Sequence, residues 1–142
     1  MFASVNSVGL FCMETYPVRV EAYLSAGLPR FDMVGLPDAA VSESRERVRA
    51  AIRNSGLDFP VSRVTVNLAP ADIRKEGPIY DLPVLIAILK ATGQLKCDTE
   101  GCAFLGELSL SGRVRGVHGV LPMVMEAKKS GFREIYIPYE NL

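Results

Sequence analysis

The stretch from Val66 to Leu89 constrains the fold more than any other part of the chain. It opens on the β-rich run Val66-Asn67-Leu68 and passes through Ala69-Pro70-Ala71 into the charged segment Asp72-Ile73-Arg74-Lys75-Glu76. It then turns at Gly77-Pro78 and continues apolar from Leu82 to Leu89. A strand, a charged loop and a buried helix follow from that order, because a β-rich run gives way to near-continuous apolar residues bounded by Asp81 and Gly93. Loops that leave the ends of strands are where α/β proteins build their sites.

On either side the same reading gives a simple order of elements. Phe2 to Leu10 and Val18 to Leu24 are strands whose separation suits a hairpin, and Arg30 to Val34 is a third. From Asp38 to Asn54 the period becomes helical, with Val41, Val48 and Ile52 on one face and Glu43 and Arg47 opposite. Asp38 suits its N-cap and Gly56 its C-terminal side. Arg63 to Leu68 is a strand, and Asp81 is the expected N-cap of the 81–92 helix, with Pro83 in its first turn. Ala103 to Leu108 and Arg113 to Val117 form a strand pair about a tight turn at Ser111-Gly112. Val120 to Ser130 is a helix closed by Gly131, and Arg133 to Ile137 is a last strand.

These elements predict one α/β (α+β) domain over residues 1–142, a mixed and largely antiparallel sheet with helices mainly on one side. The expected core comprises Val48, Ile52, Leu85, Leu89 and Val124 against Val64, Val66, Phe104, Leu105, Ile135 and Ile137. With 49% hydrophobic and 23% charged residues the chain has the composition of a globular protein. Its 16 basic and 16 acidic residues cancel, so contact with a polyanion has to come from a local patch. Cys12, Cys97 and Cys102 lack zinc-ligand spacing and read as free thiols, and no run approaches a membrane span, which places the protein in the cytoplasm. The chain stops directly after a strand, as an excised domain would, and a further module is expected beyond residue 142.

Two sets of residues carry the functional signal. The first is Glu76-Gly77-Pro78-Ile79 taken with Gly106-Glu107 and Gly112-Arg113-Val114. It resembles the proteolytic domain of Lon protease, whose fold is shared by the C-terminal domain of the recombination factor RadA and the second domain of ribosomal protein S5. The Lon pattern has an acidic residue, Gly, Pro and then a nucleophilic serine, with a catalytic lysine nine residues after the later glycine. Here the serine position is Ile79 and the lysine position is Leu121. A serine-lysine pair needs a hydroxyl and a neutral amine, and Lys128 stands two helical turns too far on, roughly 10 Å. The resemblance therefore implies a protease scaffold without catalytic residues.

Over its whole length the chain is similar to the N-terminal domain of the magnesium-chelatase-like AAA+ proteins, the group of competence protein ComM and YifB. This rests on Leu28-Pro29-Arg30-Phe31, Val34-Gly35-Leu36-Pro37-Asp38, Glu43 to Ile52, and Val66 to Leu89. The resemblance implies a non-catalytic accessory domain that assists assembly or DNA handling by an ATP-driven motor, hexameric in ComM-type proteins and tied to branch migration in natural transformation. ATP and magnesium belong to that missing module. No GxxxxGK[ST] occurs here, and the acidic residues do not cluster, so no nucleotide, metal or other cofactor is expected in this chain. A free-standing DNA-binding module like the RadA domain is the alternative, and a Lon-like peptidase is disfavoured by the absent pair.

The second set is the row Arg45, Arg49 and Arg53 on the 38–54 helix, joined by Arg74 and Lys75 on the loop. Arginines at that spacing can neutralise phosphates. They can equally meet a neighbouring subunit or the AAA+ module, or form a solvated face in which Glu46 pairs with Arg49 and Glu43 with Arg47. Arg74 and Lys75 can touch a phosphate backbone or a partner, or merely connect strand to helix. His118, the one histidine, reads as a surface or capping residue.

Overall fold

A computed structural model describes residues 1–142. Its main sheet has six strands in the order β3-β4-β2-β1-β5-β8: β1 Phe2–Phe11, β2 Glu14–Ser25, β3 Arg30–Val34, β4 Arg63–Ala69, β5 Cys102–Phe104 and β8 Glu134–Tyr136. The β1–β2 and β2–β4 pairings are long and antiparallel, while the three outer pairings, β3–β4, β1–β5 and β5–β8, are shorter and parallel. The mixed sheet with packed helices agrees with the α/β reading. A second, two-stranded sheet joins β6 Glu107–Leu108 to β7 Val114–Arg115.

The β1–β2 hairpin is tighter and longer than the apolar pattern suggests. Phe11 pairs with Glu14, leaving Cys12 and Met13 as a two-residue turn with φ of 50° and 69°. Two consecutive left-handed residues match the right-handed twist of the flanking strands. The turn carries none of the glycine or asparagine that normally signals it.

The 38–54 helix is divided at Glu43 into α1 Ala39–Ser42 and α2 Ser44–Asn54. Asp38 caps α1 as expected, its carboxylate accepting from the Val41 amide at 2.7 Å. Arg47 is not on a solvated face opposite Val48: its side chain is 18% exposed and turns toward α3, Asp81–Ala91. Asp81 in turn is not an N-cap. It lies within the helix after a 3₁₀ turn at Pro78–Tyr80, and its carboxylate is consumed by Arg47 and by the Leu108 amide.

The expected strand from Ala103 to Leu108 divides at Gly106, whose φ is 156°. Its amide donates to the Ile79 carbonyl at 2.9 Å and its carbonyl accepts from the Leu82 amide at 3.1 Å, so this backbone serves the start of α3 rather than a neighbouring strand. A Cβ built there would meet Val114 at 2.8 Å. The 108–114 connection is also longer than a tight Ser111-Gly112 turn, since Leu108 pairs with Val114.

Alternation along β1 and β2 divides the packing. Val5 with Val18, Val20 and Ala22 faces the side that carries α3, while the Leu10–Thr15 pair faces α4, Val120–Lys129, where Thr15 donates to Glu126 at 2.9 Å. Helices α1 to α3 thus share one face and α4 crosses the other. Val48, Ile52, Leu89, Val64, Val66, Phe104 and Leu105 are buried as expected. Leu85, Ile135 and Ile137 are partly buried around that core, and α4 contributes Met123 and Ala127 in place of Val124.

Candidate functional site

The β4–α3 loop is held by two residues that act as pegs. Asp38 is one: its second carboxylate oxygen accepts from the Gly77 amide at 3.2 Å and its own amide donates to the Lys75 carbonyl at 2.9 Å. Lys75 is the other. It is wholly inaccessible, and its ammonium donates to the carbonyls of Gly35, at 2.9 Å, Pro70 and Ile73. Burial pushes its pKa below the ordinary lysine value, with the Asp72 charge opposing. Lys75 therefore cannot be the exposed phosphate or partner contact that its place in a charged run suggests. Its task is to close the loop by satisfying carbonyls that would otherwise be buried unpaired.

Beside this loop lies a cleft of about 500 Å³. Leu10, Ile79, Val117 and Met123 supply its apolar surface; Asp38, Glu76, Glu107 and His118 supply its polar groups. Ile79, where the sequence resemblance to Lon leads one to expect the serine, is 7% exposed and lines the cleft, whereas Leu121, where it leads one to expect the lysine, is 71% exposed and does not. No hydroxyl, thiol or amine side chain lines this space. The hydroxyls of Tyr16 and Tyr80, 3.4 Å apart, sit behind the loop, and burial raises both phenols above their ordinary range, so neither is a phenolate nucleophile. Cys12 and Cys97 are exposed, Cys102 is buried, and all are free. No group of three His, Cys, Asp or Glu side chains converges as metal ligands would.

The arginines separate into different environments. Arg45 is tied back to its own fold, donating to the Ser42 carbonyl at 3.0 Å and the Phe31 carbonyl at 3.4 Å. Arg49 and Arg53 lie over Phe59, with 5.3 and 6.0 Å from guanidinium carbon to ring centroid. Arg49 also pairs with Glu46 at 3.3 Å, and Arg47 with Glu43 at 3.7 Å, as the helical spacing suggests. Arg74 is exposed and only loosely paired with Glu76, at 3.7 Å. The structure thus brings Arg49 and Arg53 together with Arg30 and leaves Arg45, Arg74 and Lys75 apart. Phe59 and Arg30 had no sequence signal that linked them to α2, since their meeting depends on β3 lying at the edge of the sheet.

Comparison with known proteins places this geometry. The family model for subunit ChlI of magnesium chelatase matches residues 20–141. The chain belongs to this magnesium-chelatase-like family. Within it, the chain is 48% identical over 140 residues to the uncharacterised protein YifB of Salmonella typhimurium, covering 98% of this chain and 28% of that protein. It is 47% identical over 125 residues to competence protein ComM of Haemophilus influenzae, covering 87% of this chain and 24% of that one. Lon protease 2 of Bacillus subtilis is 33% identical over 98 residues, 69% of this chain and 17% of the protease. The chain thus spans about a quarter of the length of the YifB and ComM relatives it matches. No helix is long and apolar enough to cross a membrane.

Proposed function

We propose that residues 1–142 form a non-catalytic accessory domain of a ComM-type, magnesium-chelatase-like AAA+ ATPase, acting in the cytoplasm. It docks on the motor encoded by the rest of the protein and assists its assembly or its handling of DNA. The observation that carries this reading is the cleft itself. Where the resemblance to Lon implies a nucleophile the chain presents Ile79, and no hydroxyl or amine side chain lines the cleft around it. A frame of this kind offers surfaces but nothing to attack an amide with.

ATP and magnesium, a hexameric arrangement and DNA as the motor's track are assigned to the full-length protein, because this chain covers only about a quarter of its relatives. Two measurements test the assignment. The 142-residue chain is expected to resist fluorophosphonate labelling and to leave unfolded casein intact; labelling or cleavage that survives repurification would overturn the non-catalytic half. In the full-length protein, deletion of residues 1–142 is expected to leave ATP turnover measurable while impairing oligomer assembly or DNA-stimulated turnover. If both of those are unchanged, the accessory half falls.

A further inference from the structure

We propose that the pocket between β3 and the C-terminal half of α2 holds the phosphodiester backbone of a nucleic acid strand. The pocket, of about 290 Å³, is lined by Arg30, Arg49, Arg53, Phe59 and Ser62 with two prolines, and by no acidic side chain. A chain with zero net charge has thereby gathered three arginines, two from α2 and one from β3, around one hollow.

The arginines are prepared for an anion. Phe59 packs on Phe31 with ring centroids 5.5 Å apart. That aromatic pair carries the guanidinium groups of both Arg49, 5.3 Å from Phe59 and 6.0 Å from Phe31, and Arg53, 6.0 Å from Phe59. Cation–π contact restricts these long side chains in advance and leaves their N–H edges available for oxygens. Their competing partners are weak. Arg53 has no ion pair, and Arg49 pairs at 3.3 Å with Glu46, whose side chain is 76% exposed. An exposed pair of that kind is readily exchanged for a phosphate. Arg30, paired with Asp32 at 2.9 Å, brings the third charge from the edge strand.

A phosphodiester strand fits better than an acidic peptide. Its charges are carried on the backbone and recur at every residue, so successive arginines one helical turn apart are satisfied without ordering a flexible glutamate for each. The phenylalanine faces are already covered by arginine, so the contact reads charge and not base. This inference deepens the DNA-handling arm of the function proposed above and rests on that arm alone; docking on the motor does not depend on it.

Fluorescence anisotropy of the 142-residue chain with a labelled mixed-sequence single-stranded oligonucleotide, titrated with salt, tests the pocket. The double variant Arg49→Gln, Arg53→Gln is expected to weaken binding at low salt by about tenfold or more and to flatten the log K against log salt slope by about 1.4, two single-strand phosphate contacts. Arg30→Gln, at a side chain 69% exposed, is expected to weaken binding without a change in melting temperature, and it decides the matter if the double variant is unstable. Lys128→Gln, on α4 across the sheet, is expected to bind as wild type. Wild-type binding that survives both pocket variants with unchanged slope overturns the pocket and leaves DNA handling standing. An absence of oligonucleotide binding by the wild type overturns both. Pocket-dependent capture of polyglutamate without capture of the oligonucleotide overturns the proposal in favour of an acidic protein partner.

Discussion

Arg47 and Asp81, 34 residues apart in sequence, meet as a two-pronged ion pair in which Nε donates at 2.6 Å and Nη2 at 3.1 Å to the two carboxylate oxygens. The Asp81 side chain is wholly inaccessible, and it also accepts from the Leu108 amide at 3.0 Å, so one carboxylate ties α2, α3 and β6 together. The hydrogen bond that Arg47 donates to Asp81, the largest influence, raises the Arg47 pKa further and keeps the guanidinium charged at every accessible pH. Arg47→Ala leaves a buried carboxylate with a single donor and is expected to cost about 3–5 kcal/mol. Replacing both residues together, by Met and Leu, is expected to cost less than the two single changes summed. Urea unfolding measures this cycle; a single variant within about 1 kcal/mol of wild type would show that the pair behaves as an exposed one.

Lys75 makes stability depend on pH in an unusual direction. Burial lowers its pKa in the folded state, so the unfolded chain holds this proton more tightly, and the folded state is favoured as pH rises through the folded value toward the ordinary 10.5. Below that window the cost of holding the charged amine is fully present. Lys75→Met strands the carbonyls of Gly35, Pro70 and Ile73 and is expected to destabilise at all pH values. The margin by which wild type exceeds the variant should widen between neutral and alkaline pH. Thermal melts of both chains across that range read the margin, and a constant or shrinking margin contradicts the assignment.

Ser44 opens α2 with a buried hydroxyl that has no hydrogen-bond partner. A buried polar atom left unpaired costs about 1–3 kcal/mol, and removing it without leaving a large void recovers part of that. Ser44→Ala, which also favours the helix, is expected to raise the melting temperature by several degrees, the shift that about 1 kcal/mol produces in a domain of this size. A lower melting temperature would reveal that the hydroxyl is satisfied.

Much of the fold was legible because it rests on local pattern. The helical period of 38–54, though not its break at Glu43, the apolar run of 82–89 and the β-rich segments 18–24 and 63–68 each identify their element without help from the rest of the chain. What escaped was decided between elements. Asp81 stands where an N-cap is expected, and only the approach of α2 turns it into the partner of Arg47. Lys75 sits in the run Arg74-Lys75-Glu76, which reads as a phosphate or partner contact or as a charged connection between strand and helix, and only the return of Gly35 and Pro70 over it makes it a buried peg. At the cleft, the identity of Ile79 was readable by likeness to a protease loop, but the acidic lining by Asp38 and Glu107 required the loops to be brought together. The arginine row was visible as a spacing; its division into a tethered Arg45 and an aromatic-backed Arg49 and Arg53 depended on where Phe31 and Phe59 fell.

The wall of the cleft is attached to the end of the chain. Asn141 completes the backbone of Val117 in both directions, accepting from its amide and donating to its carbonyl at 2.9 Å, and Glu140 accepts from the Gly116 amide at 2.7 Å. Both belong to the 3₁₀ turn Tyr139–Asn141, so the segment Gly116–His118 that faces Ile79 is positioned by the turn at residues 139–141 rather than by a sheet. Asn141→Ala removes two of these bonds and is expected to lower global stability by only about 1 kcal/mol, since both groups can turn to water. Its main effect should be local. Hydrogen exchange at the Gly116 and Val117 amides is expected to accelerate strongly, while the β1–β2 ladder keeps wild-type protection. Movement of the turn would then be felt at the cleft, and this coupling is measurable in the isolated chain. Unchanged exchange at Val117 in the variant would show that the wall stands without the turn and would break the mechanical link between the two.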